Sequence, residues 1–241
     1  MNREKHISSA FDRDLETVQA LAVKMGGMVE AAIQDAATAL ESRDEELAEQ
    51  VRRRDQAIDA LELQLNEEAA RLIALRAPTA TDLRMVLAVM KISHSLERVG
   101  DYAKNIAKRT HVLAQMPPID GSGLALRRMS TAVGKMVQDA LDSYIRRDAG
   151  LAEDVRQRDL EVDQMYNALF REFLTHMMED PRNITPCMHL HFIAKNIERM
   201  GDLATAIAEQ VIYLVSGDLP DDSRPKDNNV PFVETDAATG G

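Results

Sequence analysis

The sequence predicts an all-α protein made of two tandem three-helix bundles that are related by internal duplication. The composition of the 241-residue chain favours helices over sheet, since it has only 8 prolines, 11 glycines and no tryptophan, while Ala, Leu and Glu are abundant. Apolar residues also recur in three- and four-residue steps along six long segments, and the last three segments repeat the first three.

The helix ends are predicted from capping residues and from breaks in the apolar pattern. Ser8 or Ser9 is expected to cap the first helix and Asp44 the second, while Pro78 ends the second. Pro186 is expected in the first turn of the last helix, where proline is tolerated. The predicted helices span about 9–40, 45–77, 80–113, 124–147, 148–178 and 185–215.

The duplication is visible as direct identity between the two halves. At an offset of 104 residues, segment 34–59 aligns with segment 138–163, and 13 of these 26 positions are identical. The offset becomes 101 for the third helix of each half, because the connection around Pro181 is shorter. The predicted organisation is a first repeat at 1–116, a linker at 117–123, a second repeat at 124–216 and a disordered tail at 217–241.

The charge and the cysteine content exclude several classes of protein. The formal net charge is −11, so the chain lacks the basic surface that a general nucleic-acid binder needs. A single cysteine, Cys187, excludes an internal disulfide and agrees with a reducing compartment. No apolar run is long enough to span a bilayer, and the first residues are charged. We expect a cytoplasmic protein that meets a membrane only through protein partners.

Duplicated acidic pairs are the strongest functional signal in the sequence. The segment Glu97-Arg98-Val99-Gly100-Asp101 returns as Glu198-Arg199-Met200-Gly201-Asp202, and each copy follows an Asp pair on the preceding helix. Carboxylates four residues apart share one face of a helix, and these lie one position away from the apolar row, so they should line a surface groove. The eight candidate ligands are Asp55, Asp59, Glu97 and Asp101, then Asp159, Asp163, Glu198 and Asp202.

Such a groove needs positive charge. At ~5 Å and an effective dielectric constant of ~20, each like-charge pair costs on the order of 3 kcal/mol, which a bound cation or proton uptake would relieve. Oxygen ligands suit hard ions such as Mg²⁺, Mn²⁺, Ca²⁺ or Fe³⁺, and the glycine within each motif leaves room for close approach. The alternative is a solvated face with ordinary salt bridges to nearby arginines, namely Arg54, Arg98, Arg158 and Arg199.

Catalytic residues are not evident. The sequence has no Glu-Xaa-Xaa-His motif of a di-iron oxidase, no glycine-rich phosphate loop and no nucleophile elbow. The six histidines show no ligand spacing beyond His189 and His191, which lie two residues apart and so on different helix faces, and surface or core roles are expected for them. We therefore expect a protein that is not an enzyme. A metal-dependent phosphatase or oxidase using the same carboxylates, and a purely structural helical adaptor, remain as alternatives.

The segment Pro78-Thr-Ala-Thr-Asp82-Leu-Arg84 and the motif beginning at Glu97 closely resemble the PhoU family, and the tandem layout resembles it from about residue 6 to 215. The resemblance implies that the eight carboxylates bind metal, described in the family as iron, zinc, manganese or magnesium. The second repeat departs from the pattern, since Asn183-Ile-Thr185 stands in place of Asp82-Leu-Arg84 and Ala206 in place of Asn105. Its metal site is therefore expected to be weaker or differently occupied.

The resemblance also implies a role in bacterial phosphate homeostasis. Members of the family act as negative regulators of the phosphate-starvation response. They link the ATPase subunit of the phosphate ABC transporter to the phosphate sensor histidine kinase, and they are commonly homodimers without an activity of their own. We expect the same role, partners and homodimeric state here.

Overall fold

The structure is a computed structural model that describes residues 2–218 and 220. It contains six long helices and, within those residues, no strand. The helices are α1 (Asn2–Ser42), α2 (Glu45–Arg76), α3 (Ala80–Ala114), α4 (Ser122–Arg146), α5 (Ala149–Glu179) and α6 (Ile184–Ser216), and a short 3₁₀ turn at Pro181–Asn183 precedes α6. Nearly all of the predicted disordered tail, 217–241, lies outside the described residues. Within them, no helix is both long and apolar enough to cross a membrane.

The helix starts show which capping signals were informative. The Asp44 side chain accepts a hydrogen bond from the backbone N–H of Leu47 at 2.9 Å, and Asp148 does the same for Leu151 at 3.0 Å. These equivalent caps begin α2 and α5, and the first of them confirms the sequence-based expectation. The predicted cap at Ser8 or Ser9 is wrong, because α1 is helical from Asn2 onward. Helix α4 begins at Ser122, two residues earlier than predicted.

The helices pack as the two predicted three-helix bundles. Helices α1, α2 and α3 pack against one another, as do α4, α5 and α6, and the bundles are joined by α3 against α6 and α1 against α4. All six helices contribute apolar side chains to one continuous buried cluster. The duplication therefore gives two bundles that share a core, and it places the two acidic motifs, on α3 and α6, on helices that pack together.

Two adjacent glycines in α1 have opposite environments. A Cβ atom on Gly26 would lie 2.2 Å from Cδ1 of Leu141, a buried side chain of α4. A Cβ atom on Gly27 would meet nothing within 4 Å. Gly26 is thus needed for the close packing of α1 on α4 between the repeats, while Gly27 only adds the helix-weakening cost of a glycine.

Alanine substitutions at these two glycines should have opposite effects on stability. Gly27→Ala should stabilise the protein by about 0.5–1 kcal/mol, because alanine is the better helix former. Gly26→Ala should destabilise it by about 1–3 kcal/mol, because the added methyl group overpacks the contact with Leu141. Urea unfolding followed by circular dichroism measures both. Equal stabilisation by the two substitutions would show that α4 does not pack closely on α1.

Candidate metal centre

The structure brings the four acidic residues of the first repeat to facing turns of two helices. Asp55 and Asp59 lie on α2, and Glu97 and Asp101 lie on α3; we call these four residues the first groove. Asp55 is only 3 % exposed. Gly100 explains this burial, because a Cβ atom there would lie 3.1 Å from Cδ1 of Ile58 and 3.6 Å from Oδ1 of Asp55. The missing side chain lets α2 approach α3 and places a carboxylate against the helix backbone.

The second repeat has the same geometry. Asp159 is 4 % exposed, and a Cβ atom on Gly201 would lie 3.3 Å from Oδ1 of Asp159 and 3.4 Å from Cγ1 of Val162. We call the four acidic residues of this repeat the second groove: Asp159 and Asp163 on α5, and Glu198 and Asp202 on α6. In each repeat, the glycine of the acidic motif leaves the space in which the first aspartate of the preceding pair is buried.

The burial of these carboxylates differs from the expected solvent-lined groove. Asp55 and Asp159 are buried, Asp59 is exposed, and the other five are partly exposed. The expectation of a surface position is therefore wrong for the first aspartate of each groove. The periodicity of one helix gives its angular position relative to the core, but burial at that angle depends on how closely the next helix packs.

The carboxylates of the first groove interact with one another electrostatically. Burial raises the pKa of Asp55, and the nearby charges of Asp59 and Asp101 raise it further, against the opposing effect of Lys104. Burial also raises the pKa of Glu97, and so do Asp101, Glu62 and Asp59. The carboxylates therefore repel one another, which is the condition that favours a bound cation or a proton.

The second groove shows the same repulsion. Burial raises the pKa of Glu198, Asp202 and Asp163 add to the increase, and Lys195 opposes it. One carboxylate oxygen of Glu198, Oε2, is buried and accepts no hydrogen bond among the described residues. A buried acceptor without a donor is costly, so this oxygen is suited to receive a cation.

Within the part of the chain that the structure describes, a lysine ammonium group contacts each groove, but at different positions. In the first groove, Nζ of Lys104 lies 2.5 Å from Oδ2 of Asp55 and 3.2 Å from Oδ1 of Asp101. These bonds raise the pKa of Lys104 well above its ordinary value, so it stays charged. In the second groove, Nζ of Lys195 lies 2.6 Å from Oε1 of Glu198. The repeat-equivalent of Lys104 is Thr205, which donates a hydrogen bond to the backbone carbonyl of Gly201 instead.

In the alternative interpretation, four arginines form salt bridges with the groove carboxylates, but the structure gives these arginines other partners. Arg54 is bonded to Asp35 and Arg158 to Asp139, each at 2.8 Å, and these two ion pairs occupy equivalent positions in the two repeats. The remaining two arginines of the acidic motifs contact an aromatic side chain. Arg98 donates a hydrogen bond to the hydroxyl of Tyr102 at 3.2 Å, and the Arg199 guanidinium lies 6.0 Å from the centre of the same ring.

Sequence reasoning missed two residues that lie beside the first groove. Glu62 on α2 and His94 on α3 join Glu97 in a group whose ligand atoms all lie within 4.8 Å of one another, which is close enough to hold a metal ion. We call this group the His94 trio. A signal was present, because His94 and Glu97 are three residues apart and so share one helix face. Glu62 could not be assigned, because it comes from a different helix.

Both grooves therefore fit a cation by their chemistry. Each offers a buried carboxylate against a glycine and further carboxylates around it, all of them oxygen ligands. The lysines show where positive charge is already accommodated in the fold. A metal ion in the first groove would replace the contact of Lys104 with Asp55, which is feasible because the lysine side chain is 41 % exposed.

Comparison with known proteins identifies the family. The model of the PhoU domain matches the chain twice, at residues 22–110 and 126–211. The chain belongs to the PhoU family. Each match covers one three-helix unit and includes all four acidic residues of its groove, so the duplicated fold seen here is the duplicated PhoU domain.

Relatives and solved structures agree with this assignment. The chain is 48 % identical over 223 residues to a phosphate-specific transport system accessory protein PhoU homolog of Zymomonas mobilis, covering 92 % of this chain and 94 % of that protein. The crystal structure of PhoU from Pseudomonas aeruginosa superposes with a TM-score of 0.84 at 41 % identity, covering 86 % of this chain and all of the other. The regulatory protein PhoU of the phosphate transport system of Streptococcus pneumoniae gives a TM-score of 0.80 at 30 % identity, covering 88 % of this chain and 99 % of that one.

Neutralising Glu198 should stabilise the metal-free protein at neutral pH. Because the pKa of Glu198 is raised on folding, the folded chain keeps this proton where the unfolded chain, with a carboxyl pKa of about 4.3, has released it. The resulting stability is present at low pH and is lost as pH rises through the folded pKa. Glu198→Gln should therefore be more stable than wild type at pH 7, with a difference that shrinks toward pH 4.

Urea unfolding in the presence of a chelator, at a series of pH values, measures this difference. Glu161→Gln, which neutralises an exposed carboxylate of the same repeat, is the control and should show no such trend. A stabilisation by Glu198→Gln that grows on acidification would contradict the raised pKa.

Proposed function

We propose that this protein is a metal-binding regulatory adaptor of phosphate homeostasis. The observation that carries the proposal is the duplicated carboxylate groove within a PhoU fold. The acidic motif occurs in two copies, and the glycine of each copy packs against a buried aspartate of the preceding helix. Such a site can bind and sense a cation. The relatives are named as accessory proteins, and this protein is likewise proposed to have no turnover of its own.

The proposed partners follow from the family. The relatives are named as accessory proteins of the phosphate-specific transport system. We extend this role to the present chain, as a link between the ATPase subunit of the phosphate ABC transporter and the phosphate sensor histidine kinase. In this role it keeps phosphate-starvation genes off when phosphate is plentiful. The protein is proposed to act in the cytoplasm as a homodimer, to meet the membrane only through these partners and to bind no nucleic acid.

The proposed metal ligands are the eight carboxylates of the two grooves. The bound ion would be iron, zinc, manganese or magnesium, and its positive charge would offset the burial and the mutual repulsion that raise the pKa values of Asp55, Glu97 and Glu198. The two grooves fall in separate units, for which we propose the boundaries 1–116 and 124–216. Each boundary encloses one of the two PhoU matches.

Removal of either acidic pair should reduce the metal content of the protein. Asp55→Ala/Asp59→Ala and Glu198→Ala/Asp202→Ala should each lose the metal bound in the groove that is altered and keep that of the other groove, because each change removes half of the proposed ligands of one groove. Glu45→Ala/Glu49→Ala is the control, since it removes two acids four residues apart on α2 but outside the grooves. Elemental analysis of protein purified without chelator measures all four proteins. Equal metal content throughout would reject the ligand assignment.

The adaptor role predicts specific co-purification. Tagged wild-type protein from phosphate-replete cells should recover both the transporter ATPase subunit and the sensor kinase, with bound metal quantified in the same sample. If metal senses the state of the complex, the Asp55→Ala/Asp59→Ala variant should recover less of at least one partner. Recovery of neither partner by the wild type would contradict the adaptor function, whatever the metal content.

Turnover would favour the enzyme alternative instead. Hydrolysis of phosphate esters or consumption of oxygen in the presence of added Mn²⁺ or Fe²⁺, and lost in the groove variants, would show that the carboxylates catalyse a reaction. Absence of both activities in the metal-loaded wild type is the expected result.

A further inference from the structure

The His94 trio differs chemically from the grooves because it contains a nitrogen ligand. Nδ1 of His94 lies 3.2 Å from Oε1 of Glu62, and the Glu97 carboxylate completes a group with ligand atoms within 4.8 Å of one another. Glu62 and His94 also line an open cleft of about 910 Å³ between α2, α3 and α6. The cleft gives solvent access to the trio, so water can complete the coordination of an ion.

We propose that Glu62, His94 and Glu97 form a binding site for a divalent transition-metal ion of the Zn²⁺ or Co²⁺ type. One imidazole and two carboxylates make a mixed nitrogen and oxygen ligand set with a position left for water, which zinc accepts readily. Mg²⁺ and Ca²⁺ prefer oxygen ligands alone, so the histidine selects against them.

The second repeat supports this proposal, because it holds a cation of its own at the same place. With the offsets of 104 and 101, the trio corresponds to Tyr166, Lys195 and Glu198. Nζ of Lys195 lies 2.6 Å from Oε1 of Glu198 and 5.1 Å from the centre of the Tyr166 ring. A lysine ammonium thus occupies in the second repeat the position that the trio surrounds in the first.

The replacements between the repeats change the charge at this position. The first repeat has Glu62 where the second has Tyr166, which adds a negative charge. It has His94 where the second has Lys195, which replaces a fixed positive charge with a metal ligand. Glu97 is also within the influence of the negative charges of Asp59 and Asp101. Lys104 sits at the other end of the groove, on Asp55 and Asp101. The first repeat therefore binds a metal ion from solution at the position that the ammonium group of Lys195 occupies in the second repeat.

The trio shares Glu97 with the first groove, and to that extent the inference rests on the proposed metal-binding function. Glu62 and His94 lie outside the eight proposed ligands, which allows the two ideas to be tested separately. His94→Ala removes the nitrogen ligand and leaves every groove carboxylate in place. Asp55→Asn/Asp59→Asn weakens the groove and leaves the trio intact.

Titration of chelator-treated full-length protein with Zn²⁺, or with Co²⁺ followed by visible absorption, tests the site. Wild type should bind one such ion at the trio, and His94→Ala should weaken that binding roughly tenfold or more, because even loss of an outer-shell partner costs about 10–100-fold in metal affinity. His111→Ala is the matched control. His111 also lies on α3 and pairs with a single glutamate, Glu45, so its removal should leave binding unchanged.

A variant that introduces the trio into the second repeat tests whether the two positions are equivalent. Tyr166→Glu/Lys195→His rebuilds the trio in the second repeat, and it should raise the Zn²⁺ stoichiometry by one ion per chain. Circular dichroism verifies that the variant remains folded. If it is folded and gains no ion, the equivalence of the two positions is contradicted.

The outcomes distinguish the two metal proposals. Zn²⁺ binding that is lost in His94→Ala and kept in Asp55→Asn/Asp59→Asn supports the trio. Binding that is lost only in the aspartate variant overturns the trio and leaves the proposed groove ligands standing. Binding that neither variant changes overturns the trio and counts against the first groove as well.

Discussion

The close approach of two helix pairs at glycine is the constraint on which the candidate site depends. At Gly100 and Gly201 the absence of a side chain lets the preceding helix pack against the backbone of the motif. The residues that fill this contact are an apolar side chain and an aspartate carboxylate, Ile58 with Asp55 in one repeat and Val162 with Asp159 in the other. Packing therefore buries a charge. Once the carboxylate is buried, the fold favours either a nearby cation or a bound proton, because an isolated buried carboxylate is strongly unfavourable.

The described lysines occupy different positions in the two repeats, although the helices of the repeats have the same arrangement. The first places Lys104 on Asp55 and Asp101, at the end of the groove farther along α3. The second has Thr205 there and places Lys195 on Glu198, at the opposite end. Duplication has kept the glycine, the carboxylates and the helix contact while the position of the fixed positive charge has moved. Among the described residues, the position of the lysine differs between the repeats, so the two proposed metal sites should differ in the cations that they prefer.

Much of the fold could be predicted from the sequence because its signals are local. Apolar periodicity located all six helices, and the Asp44 cap placed the start of α2. The start of α1 could not be placed, since a serine that can cap a helix can also lie inside one, and nothing local distinguishes the two. Charged positions could be assigned to a helix face, but the burial of Asp55 could not be derived from α2 alone. It results from the packing distance between two helices.

The contacts that sequence reasoning missed are those between helices. Arg54 was a salt-bridge partner of the groove carboxylates only in the alternative interpretation, and it reaches Asp35 on α1. Glu62 and His94 are 32 residues apart and meet only because α2 and α3 are antiparallel at that level. The order of the carboxylates along each helix could be read from the sequence. The interaction partner of each carboxylate could not, because it depends on the rotamers and lengths of side chains on other helices, which the surrounding packing and charge determine.

The two grooves are joined by a link that is too weak to couple them strongly. Arg98 donates to the Tyr102 hydroxyl, and Arg199 lies 6.0 Å from the same ring, so Tyr102 connects the acidic motifs of α3 and α6. A cation–π contact at an exposed position is worth about 0.5–1 kcal/mol, which is less than the ~1.4 kcal/mol that a tenfold change in affinity requires. Through this contact alone, occupation of one groove can alter the affinity of the other by less than tenfold. A stronger response to metal would have to involve the packing of α3 on α6, and it would appear as a change in the protection of those helices against hydrogen exchange.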